Sequence, residues 1–274
     1  MRLSGLRLRV GRLASALVLA FASATCGGDA PNPAPSPTSP TPADPAPTPV
    51  PPVTPSGPNW SFWPTQGGSL TGLEGSFDPS GGATTAVLAP FGHCFNPDSD
   101  RARFTGTRSG LAIELQSQPV NAQVINLSGR LSPAGDLFEG AYSMTGLCND
   151  GVPHDGVQHS VMGRRVDLTG RWAGKLGAIP IVIEMLMAGT PDESAGYALS
   201  GSVTFSNTQC FPNASITRRA RGRWLFPDIV SNTQRLELIG TVSQDLSTMG
   251  LDYVLVAGTC PELEFGSGSV VRQR

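Results

Sequence analysis

The 274-residue sequence predicts an all-β fold: two tandem small antiparallel units, each a β-barrel or β-sandwich with one disulfide, behind a proline-rich linker expected to be disordered. Three observations carry that expectation. Apolar residues alternate with polar ones in short runs such as Tyr197-x-Leu199-x-Gly201-x-Val203-x-Phe205 and Leu236-x-Leu238-x-Gly240-x-Val242, the period of a strand with one buried face. Several such runs recur in the same order in the two halves of the chain. Four cysteines, Cys94, Cys148, Cys210 and Cys260, fall into two similarly spaced pairs, and Cys26 is left over.

The chain opens with Arg2, Arg7, Arg9 and Arg12 and no acid, then an apolar run from Leu13 to Phe21 too short for a permanent membrane anchor. Residues 1–25 therefore read as a signal peptide. Ala22-Ser23-Ala24 fits the small-x-small site of ordinary signal peptidase, which would give a soluble secreted protein. The adjoining Ser23-Ala24-Thr25-Cys26 resembles a bacterial lipobox, with Ser23 where that family usually has an aliphatic residue and Thr25 where it has Gly, Ala or Ser. Cys26-Gly27-Gly28-Asp29-Ala30 followed by a low-complexity spacer is similar to the start of many bacterial lipoproteins. That resemblance covers only the first few dozen residues, and it implies an acylated Cys26 and attachment to a membrane through the lipid. Gly27 is not the aspartate associated with inner-membrane retention, so the resemblance implies an outer-membrane lipoprotein facing the periplasm or the cell surface.

Residues 26–59 form the lipid-bearing cysteine and the linker. Thirteen prolines lie among the twenty-eight residues from Pro31 to Pro58. Proline lacks the backbone donor and fixes φ, so the tract cannot join a sheet. In polyproline II geometry it would reach up to about 90 Å.

Loss of the four leader arginines takes the formal charge from −2 to −6, which excludes the basic footprint of a nucleic-acid binder. No further apolar run is long enough to cross a membrane as a helix. The run from Ile179 to Met187 has a helix-compatible length, but Pro180 and the β-branched residues argue for a buried strand.

The repeat sets the domain limits. Ile125-x-Leu127-x-Gly129-x-Leu131 matches Leu236 to Val242, and Cys148 and Cys260 follow Gly129 and Gly240 at nearly equal distances. Cys94-Phe95-Asn96-Pro97 answers Cys210-Phe211-Pro212-Asn213, Arg101-Ala102-Arg103 answers Arg219-Ala220-Arg221, and Leu70-Thr71-Gly72 answers Leu168-Thr169-Gly170. Two homologous β-domains follow, 60–165 and 166–274, each of about six or seven strands. Cys94 pairs with Cys148 and Cys210 with Cys260, one of three connectivities open to four cysteines. A single sandwich or barrel shared by both halves is the alternative.

Leu168-Thr169-Gly170-Arg171-Trp172 resembles the first strand of avidin and lipocalin-like barrels, whose tryptophan packs at the barrel end. The resemblance covers five residues and implies a meandering barrel. The family's ligand residues find no counterparts here, and the first unit has Leu73 two positions after Gly72 where a tryptophan would stand.

Catalytic motifs are sparse. A Gly-x-Ser-x-Gly elbow and a phosphate loop are both missing from the sequence. Cys94 beside His93 suggests a thiol nucleophile only if Cys94 is not bridged. Asp150, His154, Asp155 and His159 gather in a Gly- and Pro-rich segment and are the weak candidates for a divalent metal, against the plainer reading of a solvated loop. Glu114, Glu139, Glu184 and Glu237 lie in strand-like runs, and sequence spacing does not single out a catalytic pair.

Arg218, Arg219, Arg221 and Arg223, closing on Trp224, form the basic cluster of the mature chain. Alternation puts Arg219, Arg221 and Arg223 on one strand face and Trp224 on the other. That face suits an anionic glycan, lipid headgroup or teichoic-type polymer, or else it is a charged edge strand guarded against aggregation. Trp60 and Trp63, on either side of Phe62, either anchor the start of the first unit or stack on a sugar. The sequence thus points to a cell-envelope lipoprotein that displays two β-domains as a binding module, with a glycan or envelope protein as partner, no cofactor and no enzymatic activity. The alternative is a hydrolase of envelope or extracellular polymers with its site in the 148–159 loop.

Overall fold

Alternation of inward apolar and outward polar side chains runs along the strands of the described residues, and sixteen of the seventeen close into two antiparallel barrels. The computed structural model describes residues 53–148 and 153–274, with the backbone alone for 153–155; the leader, Cys26 and the linker as far as residue 52 lie outside the described residues.

The first barrel is built from β1 (Asn59–Pro64), β2 (Leu70–Asp78), β3 (Ala83–Gly92), β4 (Ala102–Ser109), β5 (Ala112–Ser117), β6 (Gln123–Leu131), β7 (Leu137–Leu147) and β9 (His159–Arg165). Each strand pairs with the next in sequence, and β9 closes the ring by pairing with both β7 and β1. The short β8 (Pro153–Asp155) stands outside the ring and pairs only with the far end of β7, through Thr145↔Asp155 and Gly146↔His154. The second barrel runs β10 (Gly170–Leu176), β11 (Ile179–Pro191), β12 (Tyr197–Phe205), β13 (Ala214–Arg221), β14 (Trp224–Ser231), β15 (Gln234–Val242), β16 (Thr248–Ala257) and β17 (Phe265–Arg272), closed by β10 against β17. Each ring therefore has eight strands, more than the six or seven the turn spacing suggests, and neither half is a sandwich. The run from Ile179 is a strand, as its β-branched residues require.

Side chains fill both interiors. In the first barrel Trp60 stacks on Phe62 at 5.6 Å between ring centres, and Phe77 and Phe138 meet these rings edge-on. Gly163 leaves the room this requires, because a Cβ there would come within 2.5 Å of the Phe62 ring. In the second barrel Trp172 is fully buried and donates its indole N–H to the Leu168 carbonyl at 3.1 Å. Arg272 on the closing strand lies 5.4 Å over the Trp172 ring and donates to the carbonyls of Asp167 and Thr169. One side chain thus ties the last strand to the segment before the first.

Disulfides join Cys94 to Cys148 and Cys210 to Cys260. Each links the loop after the third strand of its barrel to the segment after the seventh. On a loop-entropy argument, replacing Cys210 and Cys260 together by serine lowers stability by about 2–4 kcal/mol. Urea denaturation of the double variant against the oxidised chain measures it, and an unchanged midpoint would show that the bridge contributes nothing.

The strand positions also correct two of the repeat matches. Leu70-Thr71-Gly72 opens a second strand, whereas Leu168-Thr169-Gly170 leads into a first one. Trp172 therefore answers Trp60, the other fully buried tryptophan on a first strand, and not Leu73. Arg101-Ala102-Arg103 begins β4, while Arg219-Ala220-Arg221 ends β13, so these triplets stand at opposite ends of their strands. Three-residue matches carry too little pattern to fix a strand, whereas the cysteines and the Gly129 and Gly240 strands fall at equal places.

Candidate anion-binding cleft

Both barrels contribute to the most chemically distinctive region, because the outer face of β1, β2 and β3 is not solvated. Asn59, Ser61, Glu74 and Ser76 point away from the first core and are nonetheless buried. The β13–β14 hairpin of the second barrel covers Asn59, Ser61 and Glu74. Gly222 occupies the first position of its two-residue turn with φ +56°, a conformation that favours glycine. Asn59 and Gly222 exchange two hydrogen bonds: Asn59 Nδ2 donates to the Gly222 carbonyl at 3.0 Å and Gly222 N–H donates to Asn59 Oδ1 at 2.6 Å. Arg223 N–H donates to Glu74 Oε2 at 2.9 Å, and Ser61 Oγ donates to Glu74 Oε1 at 2.8 Å.

Glu74 is fully enclosed, and burial pushes its carboxyl up to about 8 despite the hydrogen bond from Arg223 and the nearby charges of Arg223 and Arg221. At neutral pH it sits in the seam as a neutral acid. The Arg223 side chain donates to Ser61 Oγ and to the Val242 carbonyl, and its guanidinium lies 5.3 Å from the centre of the Trp63 ring. Trp224 stacks on Phe91 of the first barrel at 5.3 Å.

Beside this seam lies a cleft of about 750 Å³. Its walls come from the end of β11, the β11–β12 connection, β12, β13 and Phe226 of β14, with Asp98 contributed by the first barrel. The ladder between β12 and β13 is interrupted between Ala198↔Arg219 and Gly201↔Ile216, where Arg218 takes φ +79°. That kink turns Arg218 and Arg219 outward together.

Three arginines line the cleft, and they are held differently. Arg218 pairs with Asp228 at 3.1 Å and Glu237 at 3.8 Å, and Arg235 completes this network from the neighbouring strand. Arg219 pairs with Asp192 at 3.3 Å and donates to Ser194 Oγ at 2.9 Å. Asp192 is partly buried, yet donors from Ser194, Gly196 and Arg219 hold its carboxyl below the ordinary range. Arg221 is only 5% exposed. Its Nη1 donates to the Pro97 carbonyl at 2.9 Å, while its buried Nε has no partner. Burial, with Arg101 and Arg219 nearby, pulls Arg221 down to about 10. Burial and the Arg219 charge lower Arg101 likewise. A guanidinium lowered first by burial and then by neighbouring cations lies where an anion would be stabilised.

The sequence candidates therefore separate. Arg219 and Arg221 share the cleft, whereas Arg223 and Trp224 are held in the seam. No edge strand exists here, because β13 is paired on both sides by β12 and β14 in a closed ring. Trp60 anchors the core, and Trp63 is half-buried under Arg223.

Of the metal candidates, Asp150 lies outside the described residues, and His154 and Asp155 are described by backbone only. His159 stacks on Tyr142 at 5.2 Å. His93, Cys94 and Cys148 come together within ligand distance, as do Cys210, Cys260 and Glu262, but in each cluster both sulfurs are spent in a disulfide. The bridge equally removes Cys94 as a nucleophile. Glu114, Glu139 and Glu184 stand exposed on separate strands and Glu237 belongs to the arginine network. No family model, curated protein or solved structure matches this chain.

Proposed function

We propose that the protein is an outer-membrane lipoprotein, anchored through Cys26, whose proline-rich linker displays the two barrels as a binding module for an anionic ligand. The arginine cleft carries this reading: Arg219 and Arg221 lie side by side in a chain of net negative charge, in a recess within the roughly 300–1,000 Å³ range of ligand sites. Local positive charge inside an overall acidic protein selects one class of ligand without attracting polyanions over the whole surface. The two disulfides agree with an oxidising compartment such as the one the leader implies.

Two measurements test the reading. Metabolic labelling with a fatty-acid probe is expected to mark the wild-type chain and to vanish in Cys26→Ser; labelling that survives would remove the anchor. A thermal-shift screen of the mature chain against soluble polyanions at low salt is expected to find stabilisation that Arg219→Gln diminishes. A screen without any stabilising anion would remove the binding function.

A further inference from the structure

Resting on the anion-binding reading above, we infer that the ligand is an acidic saccharide chain, with a carboxylate-bearing sugar at Arg219 and Arg221 and a neutral neighbour at Phe226 and Arg218. Three features of the cleft narrow the anion to this class.

The lining is mixed in charge. Asp98 and Asp192 line the cleft together with the arginines. Asp192 is already saturated by its own loop and Arg219, but no hydrogen bond reaches the Asp98 carboxylate among the described residues. A phosphate dianion would be repelled by these carboxylates. A sugar acid fits both signs, because its carboxylate takes the arginine donors and its hydroxyls donate to Asp98.

An aromatic surface stands beside the cation. Phe226 lies directly opposite Arg219 in the β13–β14 register and is half-buried against the cleft. A pyranose offers C–H groups to such a ring while its carboxylate reaches the neighbouring guanidinium.

The groove also continues. Phe226 and Arg218 line a second recess of about 320 Å³, which also has Glu237, Ile239, Asp252 and Val254 in its walls. Two adjoining recesses sharing one aromatic ring are the form a chain of sugars requires. Glu237 and Asp252 make the second recess a poor host for another carboxylate and a good acceptor of hydroxyls.

Isothermal titration of the mature chain, carrying Cys26→Ser to keep it in solution, provides the test. The probes are a tetrasaccharide alternating glucuronate with a neutral N-acetylhexosamine, chitotetraose, free glucuronate, inorganic phosphate and vesicles of anionic phospholipid. The alternating tetrasaccharide is expected to bind at least about tenfold tighter than chitotetraose or glucuronate, and Arg219→Gln to weaken it about tenfold. Asp98→Asn separates a sugar from a bare anion, since it weakens a ligand whose hydroxyls it accepts and tightens one it merely repels. Both substitutions are at exposed positions, so neither disturbs the core. Equal binding of chitotetraose overturns the inference, as does tighter binding with Asp98→Asn. Binding of phosphate or vesicles that depends on Arg219, without binding of the saccharide, overturns the sugar while preserving an anion cleft. Absence of binding by every probe overturns both.

Discussion

Raising the pH from about 5 to 8.5 is expected to destabilise this protein, and Glu74→Gln to abolish most of that loss. Glu74 ionises near 4.5 when the chain is unfolded and near 8 in the seam, so between these values the folded state binds the extra proton. Its contribution is fully present below pH 4.5, declines as the pH rises, and is lost above 8. At 1.36 kcal/mol per unit, the span corresponds to roughly 5 kcal/mol. Glutamine keeps the shape and removes the titration: its carbonyl accepts from Arg223 N–H, and its amide donates to Ser61 Oγ once that hydroxyl, which donates to Glu74 Oε1 in the structure, turns its proton away. Urea midpoints recorded across this range are the measurement. A wild-type slope retained in Glu74→Gln would show that the seam carboxyl is not the group responsible.

Gly222→Val is expected to pull the barrels apart. A Cβ at Gly222 would come within 1.5 Å of Glu74 Oε2, and φ +56° is strained for a β-branched residue. The turn has no free side to move toward, since both of its polar backbone groups are bonded to Asn59. The combined loss is about 4 kcal/mol or more, as expected when overpacking and backbone strain coincide. Limited proteolysis should then cut between the barrels while each disulfide-closed unit persists, whereas Gly106→Val would disturb a single barrel. An uncut Gly222→Val chain with wild-type stability would show that the hairpin does not lock the seam.

The barrel strands were legible because burial imposes period two on them, and the cysteine pairing was legible because the repeat placed both pairs alike. The contents of the seam were not. Glu74 sits in Leu73-Glu74-Gly75-Ser76-Phe77, where alternation assigns it correctly to the outside of its barrel, and nothing local tells that the outside is covered by residues about 150 positions away. The arginine cluster was visible as charge, but one alternating strand was too simple a geometry for it. The kink at Arg218 and the turn at Gly222 break the alternation, sending Arg219 and Arg221 to the cleft and Arg223 to Trp63. Asp98 as a cleft residue and Arg101 as a charge beside Arg221 were not legible because they belong to the other barrel, and Asp192 lies in a connection whose approach to Arg219 no local pattern shows.

The segment preceding the first strand is fastened to both barrels. Arg103 donates to the Val53 carbonyl and Tyr197 donates to the Gly57 carbonyl at 2.9 Å, while Val53 packs with Val87 and Ala195 in a small apolar cluster of its own. If the proline-rich tract is the tether proposed above, tension along it would reach both barrels in parallel, through contacts made by Val53 and Gly57. On that reading a drag force on the barrels would load these contacts before it could peel β1 from its neighbours, and the proposed tether would end in a mechanical clamp.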